Sequence, residues 1–111
     1  MILDNKDQNG FIISTINVAE ASVRNAEDFK QEIFGLIDSG QKHIILNFEK
    51  VEYIDSSFLG SLVAGLKHAI GNGADIYLVC LKSDIYDLLS LIRMNKVFKI
   101  YATPDEAIQS I

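Results

Sequence analysis

The chain has 111 residues, 49% of them hydrophobic, and a formal net charge of −5; that is one domain with a core of its own, and too apolar a chain to be disordered. The acidic balance, with Lys42, Lys50, Lys67, Lys82, Arg93, Lys96 and Lys99 scattered rather than clustered, excludes a nucleic-acid binder. No apolar run approaches the roughly 20 residues of a membrane span, the polar start MILDNKDQNG is not a signal peptide, and the single Cys80 excludes an internal disulfide. These features point to the cytoplasm, and to a protein or small molecule as partner.

The first 17 residues read as a hairpin. Asn9-Gly10 is the dipeptide of two-residue turns, because both residues tolerate positive φ. Phe11 to Asn17 is rich in β-branched and aromatic residues and reads as a strand, with Met1 to Lys6 as a shorter partner. Residues 18 to 24 form a loop leading to a helix with Asn25 as N-cap and Glu27 and Asp28 in its first turn. Phe29, Ile33, Leu36 and Ile37 give this helix its apolar face, and Ser39-Gly40 ends it.

His43 to Phe48 is continuously apolar rather than alternating, the pattern of a parallel strand buried on both faces. Val51 to Asp55 is a loop that leads to a helix start at Ser56-Ser57, with Ser56 as N-cap. Leu59, Leu62, Val63, Leu66 and Ile70 recur at helical spacing, and Gly71 and Gly73 stop the helix. No acid stands inside this first turn, since Asp55 precedes the cap, whereas the other three helices carry acids there. An open helix N-terminus with hydroxyls at its mouth suits an anion or a phosphoserine; on this chemistry alone, however, the ordinary N-cap is the favoured role of Ser56, because capping serines are far commoner than regulated ones.

Ala74 to Leu81 is a second buried strand, so strand, helix and strand form a right-handed βαβ unit. Ser83 or Asp84 starts a helix with Ile85, Leu88, Leu89 and Ile92 facing inward and Asn95 as left-handed terminator. Phe98 to Tyr101 is a short strand. Thr103-Pro104-Asp105-Glu106 combines an N-cap, an N1 proline and the N3 glutamate of a capping box, opening a last helix that buries Ala107, Ile108 and Ile111. The expected order is ββαβαβαβα: a single α/β domain, residues 1–111, with a mixed β-sheet and helices packed against it.

Catalytic sets are thin. His43 and His68 lie in no metal-ligand spacing, and Cys80 sits in a buried strand. There is no GxSxG elbow and no P-loop, so the sequence implies no cofactor and no metal. Asp55 beside Ser56 resembles part of a nucleophile pair, but nothing in the sequence fixes a base near it. The chain reads as a binding protein, not an enzyme.

Asp55-Ser56-Ser57-x-Leu59-Gly60 follows the buried strand HIILNF, and the chain continues through IYLVCL to MNKVFKIYATPDEAI. Across nearly its whole length this resembles the STAS domain (sulfate transporter and anti-sigma factor antagonist) in its free-standing form, the bacterial anti-anti-sigma factors. The resemblance implies a sheet flanked by helices and a partner switch. In that family the unphosphorylated domain binds an anti-sigma-type serine kinase, which phosphorylates the serine after the motif aspartate; a PP2C-type phosphatase reverses this. Carried over, the acceptor is Ser56, with Ser57 the lesser candidate, Asp55 is the motif acid, and Gly60 is the glycine that lets the first helical turn pack closely.

Two positions depart from the family pattern. Phe58 stands where a glycine is usual, as an added partner contact or an exposed apolar residue. Ser22 stands where an aspartate usually faces the kinase, with Glu20 and Arg24 nearby. The resemblance thus implies a docking face of Ser22, Arg24, Asp55, Ser56, Ser57, Phe58 and Ser61. The rival expectation is a constitutive STAS adaptor that docks a protein without a phosphorylation cycle.

Overall fold

The computed structural model describes residues 1–111. The chain opens with β1 (Leu3–Gln8) and β2 (Phe11–Ile16), paired antiparallel from Gln8 opposite Phe11 to Leu3 opposite Ile16. Asn9 and Gly10 take φ of 53° and 82°, the two left-handed residues that a type I′ turn needs. Glu32, on the following helix, accepts the backbone N–H groups of Ile2 and Leu3 at 2.7 and 3.0 Å and ties down the start of β1.

Next come β3 (Glu20–Ala21), α1 (Val23–Asp38), β4 (His43–Asn47), β5 (Tyr53–Ile54) and α2 (Ser56–Gly71). They are followed by β6 (Asp75–Val79), α3 (Ser83–Leu91), a 3₁₀ turn at Met94–Lys96, β7 (Lys99–Tyr101) and α4 (Pro104–Gln109). The main sheet has the order β1-β2-β4-β6-β7; only β1 is antiparallel to its neighbour. The short strands β3 and β5 pair in parallel as a separate two-stranded sheet.

The continuous apolar runs of β4 and β6 are explained by burial on both faces. Ile44, Leu46, Ile76 and Leu78 join the main core beneath α1, α2 and α3. Ile45, Tyr77 and Val79 point to the other face, where Phe11 and Ala107 of α4 meet them. Ser14, fully buried in β2, keeps its hydroxyl satisfied by donating to Asn5 Oδ1 at 2.6 Å. The order ββαβαβαβα is present, with β3 and β5 inserted before α1 and α2.

Several boundaries and faces differ from the sequence expectations. Ser22, not Asn25, caps α1: its extended backbone turns the chain and its hydroxyl accepts from Arg24 N–H at 3.3 Å. Asn25 is the N3 partner of a capping box, accepting from Ser22 N–H at 2.9 Å. Glu27 and Asp28 therefore lie beyond the first turn, and α1, like α2, has no acid there. In α3 only Ile85 and Leu89 are buried, while Leu88 is 36% and Ile92 41% exposed. Ile92 is the C-cap, and the left-handed residue after it is Arg93 (φ 65°), not Asn95, which lies in the 3₁₀ turn. Ile111 is exposed beyond the end of α4.

The buried face of α2 comprises Phe58, Leu62, Gly65, Leu66 and Ala69. Leu59 and Val63 are half-buried at its margin, and Ile70 is exposed. This face packs against α1 closely enough that a Cβ on Gly65 would stand 2.9 Å from Ile33 Cγ2. Gly60 is exposed, and a Cβ there would meet nothing within 4 Å. The close-packing glycine is thus Gly65, one and a half turns after the motif position.

Candidate functional site

The site begins in the loop after β4. Val51 and Ile54 are buried anchors, and between them Glu52 and Tyr53 both donate backbone N–H to Ala19 O, at 2.8 and 3.1 Å. Asp55 N–H then donates to Ala21 O at 3.0 Å. These bonds bring the segment before α1 beside the segment before α2, so both helices start in one place.

Asp55, not Ser56, is the N-cap of α2. Its backbone is extended (φ −106°, ψ 176°), and its Oδ1 accepts Phe58 N–H at 2.9 Å. The other oxygen, Oδ2, accepts Val23 N–H at the first turn of α1, at 2.8 Å. A carboxylate serves here better than a serine hydroxyl, because it has two oxygens for two sets of unpaired helix donors. Both helix N-termini carry a partial positive charge, and the one carboxylate answers both.

Freed from the cap, Ser56 is the first helical residue, and both Ser56 and Ser57 are exposed. Arg24 is exposed, and Ser22 and Asp55 are half-buried. Ser61, one turn beyond Ser57, is also half-buried. The structure therefore gathers Ser22, Arg24, Asp55, Ser56 and Ser57 around the paired helix starts.

Phe58 does not belong with them. It is fully buried, with its ring centroid 4.4 Å from that of Phe29 on α1. A helix turns about 100° per residue, so the residue two after exposed Ser56 points inward. Both expectations for Phe58, partner contact and exposed apolar residue, required a surface ring and are corrected. The apolar surface near the helix starts comes instead from Val23 (67% exposed) and Tyr53 (55% exposed). Sequence reasoning missed both. The available signal was that Val23 falls outside the apolar stripe of α1 and Tyr53 alternates with buried Ile54.

The histidines are occupied elsewhere. His68 lies 12 residues along α2 from Ser56, about 18 Å at 1.5 Å per residue. Its Nε2 is 2.7 Å from Asp38 Oδ1, and its ring stacks on Phe34. His43 is at the opposite end of β4, with Nδ1 3.2 Å from the Tyr77 hydroxyl. Burial raises the Cys80 thiol above its ordinary range; Glu49 adds to this and Lys82 opposes it. Nothing here supplies Ser56 with a general base.

The sheet thus carries helices on both faces, and an exposed serine lies where two helix starts converge. The chain belongs to the STAS domain family, whose profile matches residues 6–107. A Thermotoga maritima protein named for a proposed role as an anti-sigma factor antagonist is 33% identical over 93 residues, covering 83% of this chain and 82% of that one. The crystal structure of a Thermotoga maritima protein of the same description superposes with a TM-score of 0.88 at 29% identity, over 98% of this chain and 93% of that one. The Bacillus cell fate determinant SpoIIAA in its phosphorylated form shares the fold (TM-score 0.73, 18% identity, 97% of each chain).

Proposed function

We propose that this protein is a partner switch of the anti-sigma factor antagonist type. Unphosphorylated, it binds an anti-sigma-type serine kinase through the surface around Ser56; phosphorylation of Ser56 releases it, and a PP2C-type phosphatase restores it. The observation that carries this reading is the exposure of Ser56 at the first position of α2, beside an aspartate that already caps the helix. The hydroxyl is therefore not needed by the fold. SpoIIAA, which shares the fold, is known in both unphosphorylated and phosphorylated forms, and the match to the family supports the same chemistry here.

The mechanism is local electrostatics. A phosphate adds about −1.5 to −2 charges at neutral pH, beside the Asp55 carboxylate. Two helix N-termini, both without acids in their first turns, each offset part of that charge by roughly 0.3 to 2 kcal/mol. The fold survives while docking does not: a partner that covers Ser56 must bury a dianion at a cost of several kcal/mol unless it is paired. About 4 kcal/mol already weakens binding roughly a thousandfold. Ser22, Arg24, Asp55 and Ser57 form the polar part of the docking face; Val23 and Tyr53 form its apolar part, and Ser61 its margin.

The test is a comparative pull-down from the source organism's extract with Ser56→Ala and Ser56→Asp baits, partners being identified by mass spectrometry. A kinase held by the Ala bait, lost from the Asp bait, and able to phosphorylate the wild-type chain on Ser56 is the expected outcome. The same partners held equally by both baits would favour a constitutive adaptor. One observation speaks for that second reading: Ser22, where the family usually has an aspartate, gives its hydroxyl to capping α1.

A further inference from the structure

Past the carboxyl ends of β6 and β7 lies an open cleft of about 490 Å³. Leu81 and Ile100, both packed against the main core, form its apolar part. Tyr86 and Asp87 line it from α3, Tyr101 from the end of β7, and Glu106 from the first turn of α4. Its volume falls within the roughly 300–1,000 Å³ of small-molecule sites. It lies outside the carboxyl ends of two parallel strands, at the β7 edge of the sheet.

The charge of the cleft is one-sided. Asp87 and Glu106 line it and no lysine, arginine or histidine does. The chain's three ion pairs, Lys30–Glu27, His68–Asp38 and Lys99–Asp75, all lie elsewhere. Glu106 is held in place, because its Oε2 accepts Ala102 N–H at 3.1 Å, and its other oxygen is not used in that bond. Two carboxylates repel a phosphate or carboxylate ligand. A hard metal ion is equally ill suited: it needs several converging oxygen ligands, and the chain has no cluster of three metal-ligating side chains.

We propose that this cleft binds a small organic ammonium ion bearing alkyl groups. Tyr86 and Tyr101 line the cleft, and an aromatic ring attracts a cation through its quadrupole; the carboxylates supply the countercharge, and Leu81 and Ile100 accept the alkyl surface. Each kind of lining residue thus has a counterpart in one ligand class. This inference is independent of the partner-switch reading, since none of the residues of the Ser56 surface lines the cleft.

The experiment is a ¹⁵N-resolved NMR titration at constant ionic strength. The probes are choline and its neutral isostere 3,3-dimethylbutan-1-ol, which has the same shape without the charge. Choline is expected to give saturable shifts at Tyr86, Asp87, Tyr101 and Ala102, with the isostere binding at least about tenfold more weakly. Tyr86→Leu and Asp87→Asn, both at exposed positions, are each expected to weaken choline without altering the rest of the spectrum. No saturable shift with choline overturns the proposal. So does equal affinity for the isostere, which would make the site merely apolar, and so do shifts scattered over all surface carboxylates.

Discussion

Asp55 Oδ2 accepts the backbone N–H of Val23 at 2.8 Å, across 32 residues of sequence. With Oδ1 on Phe58 N–H, one side chain caps α2 and clamps it to the start of α1. An N-cap is worth about 0.5 to 2 kcal/mol, and here two donors are left without a partner if the carboxylate goes. Asp55→Ala is expected to cost about 1 to 3 kcal/mol in urea unfolding. Asp55→Asn keeps one accepting oxygen, so it should fall between alanine and wild type. An alanine variant as stable as wild type would show that the clamp contributes nothing.

Phe58 and Phe29 form a fully buried ring pair between α1 and α2. Phe58→Ala should therefore behave as a core truncation and cost about 3 to 5 kcal/mol. In a double-mutant cycle with Phe29→Ala the coupling should be about 0.5 to 1.5 kcal/mol. Loss of partner binding with unchanged stability would instead return Phe58 to the surface.

Two glycines of α2 should respond in opposite directions. A Cβ on Gly60 meets open space, whereas one on Gly65 meets the branched side chain of Ile33. Gly60→Ala is expected to stabilise the protein by about 0.5 to 1 kcal/mol, the helical cost of glycine. Gly65→Ala is expected to destabilise it by about 1 to 3 kcal/mol, because α1 and α2 must move apart. Thermal unfolding of the two variants side by side decides it.

The elements written in local chemistry were readable from the sequence. Asn9-Gly10 marks its own turn, the apolar runs of β4 and β6 announce strands buried on both faces, and Thr103-Pro104 opens α4 with its own cap. What was not readable depends on which distant segments meet. The choice between Asp55 and Ser56 as cap turns on Val23, and the choice between Ser22 and Asn25 turns on a chain path fixed by the β3–β5 pair, whose two-residue strands have no periodicity. Phe58 reads as a surface residue until α1 brings Phe29 over it. The positive φ of Arg93 runs against its intrinsic preference, so Asn95 was the better local choice for that role. Of the candidate site, the position of Ser56 and Ser57 at the start of α2 was legible, but the cap expected at Ser56 is Asp55, and the apolar surface of Val23 and Tyr53 was not legible.

Tyr77 carries a pH signature that the sheet imposes. Its hydroxyl is 3.2 Å from His43 Nδ1, and burial, followed by the charges of Asp75 and Tyr101, raises its pKa above the ordinary 10.0. Lys99, 5.5 Å from the ring and paired with Asp75, is the cation facing it. The native state thus holds the phenolic proton more tightly than the unfolded chain, so stability falls as pH rises. The contribution is complete below pH 10 and is lost as pH climbs from there through the raised folded value. Tyr77→Phe removes the hydrogen bond, at about 0.5 to 1.5 kcal/mol near neutrality, and with it the titration. In denaturant unfolding the wild-type advantage over this variant should be flat from neutral pH up to about 9, then shrink above 10. An advantage that stays constant through that range would mean that the phenol titrates alike in both states.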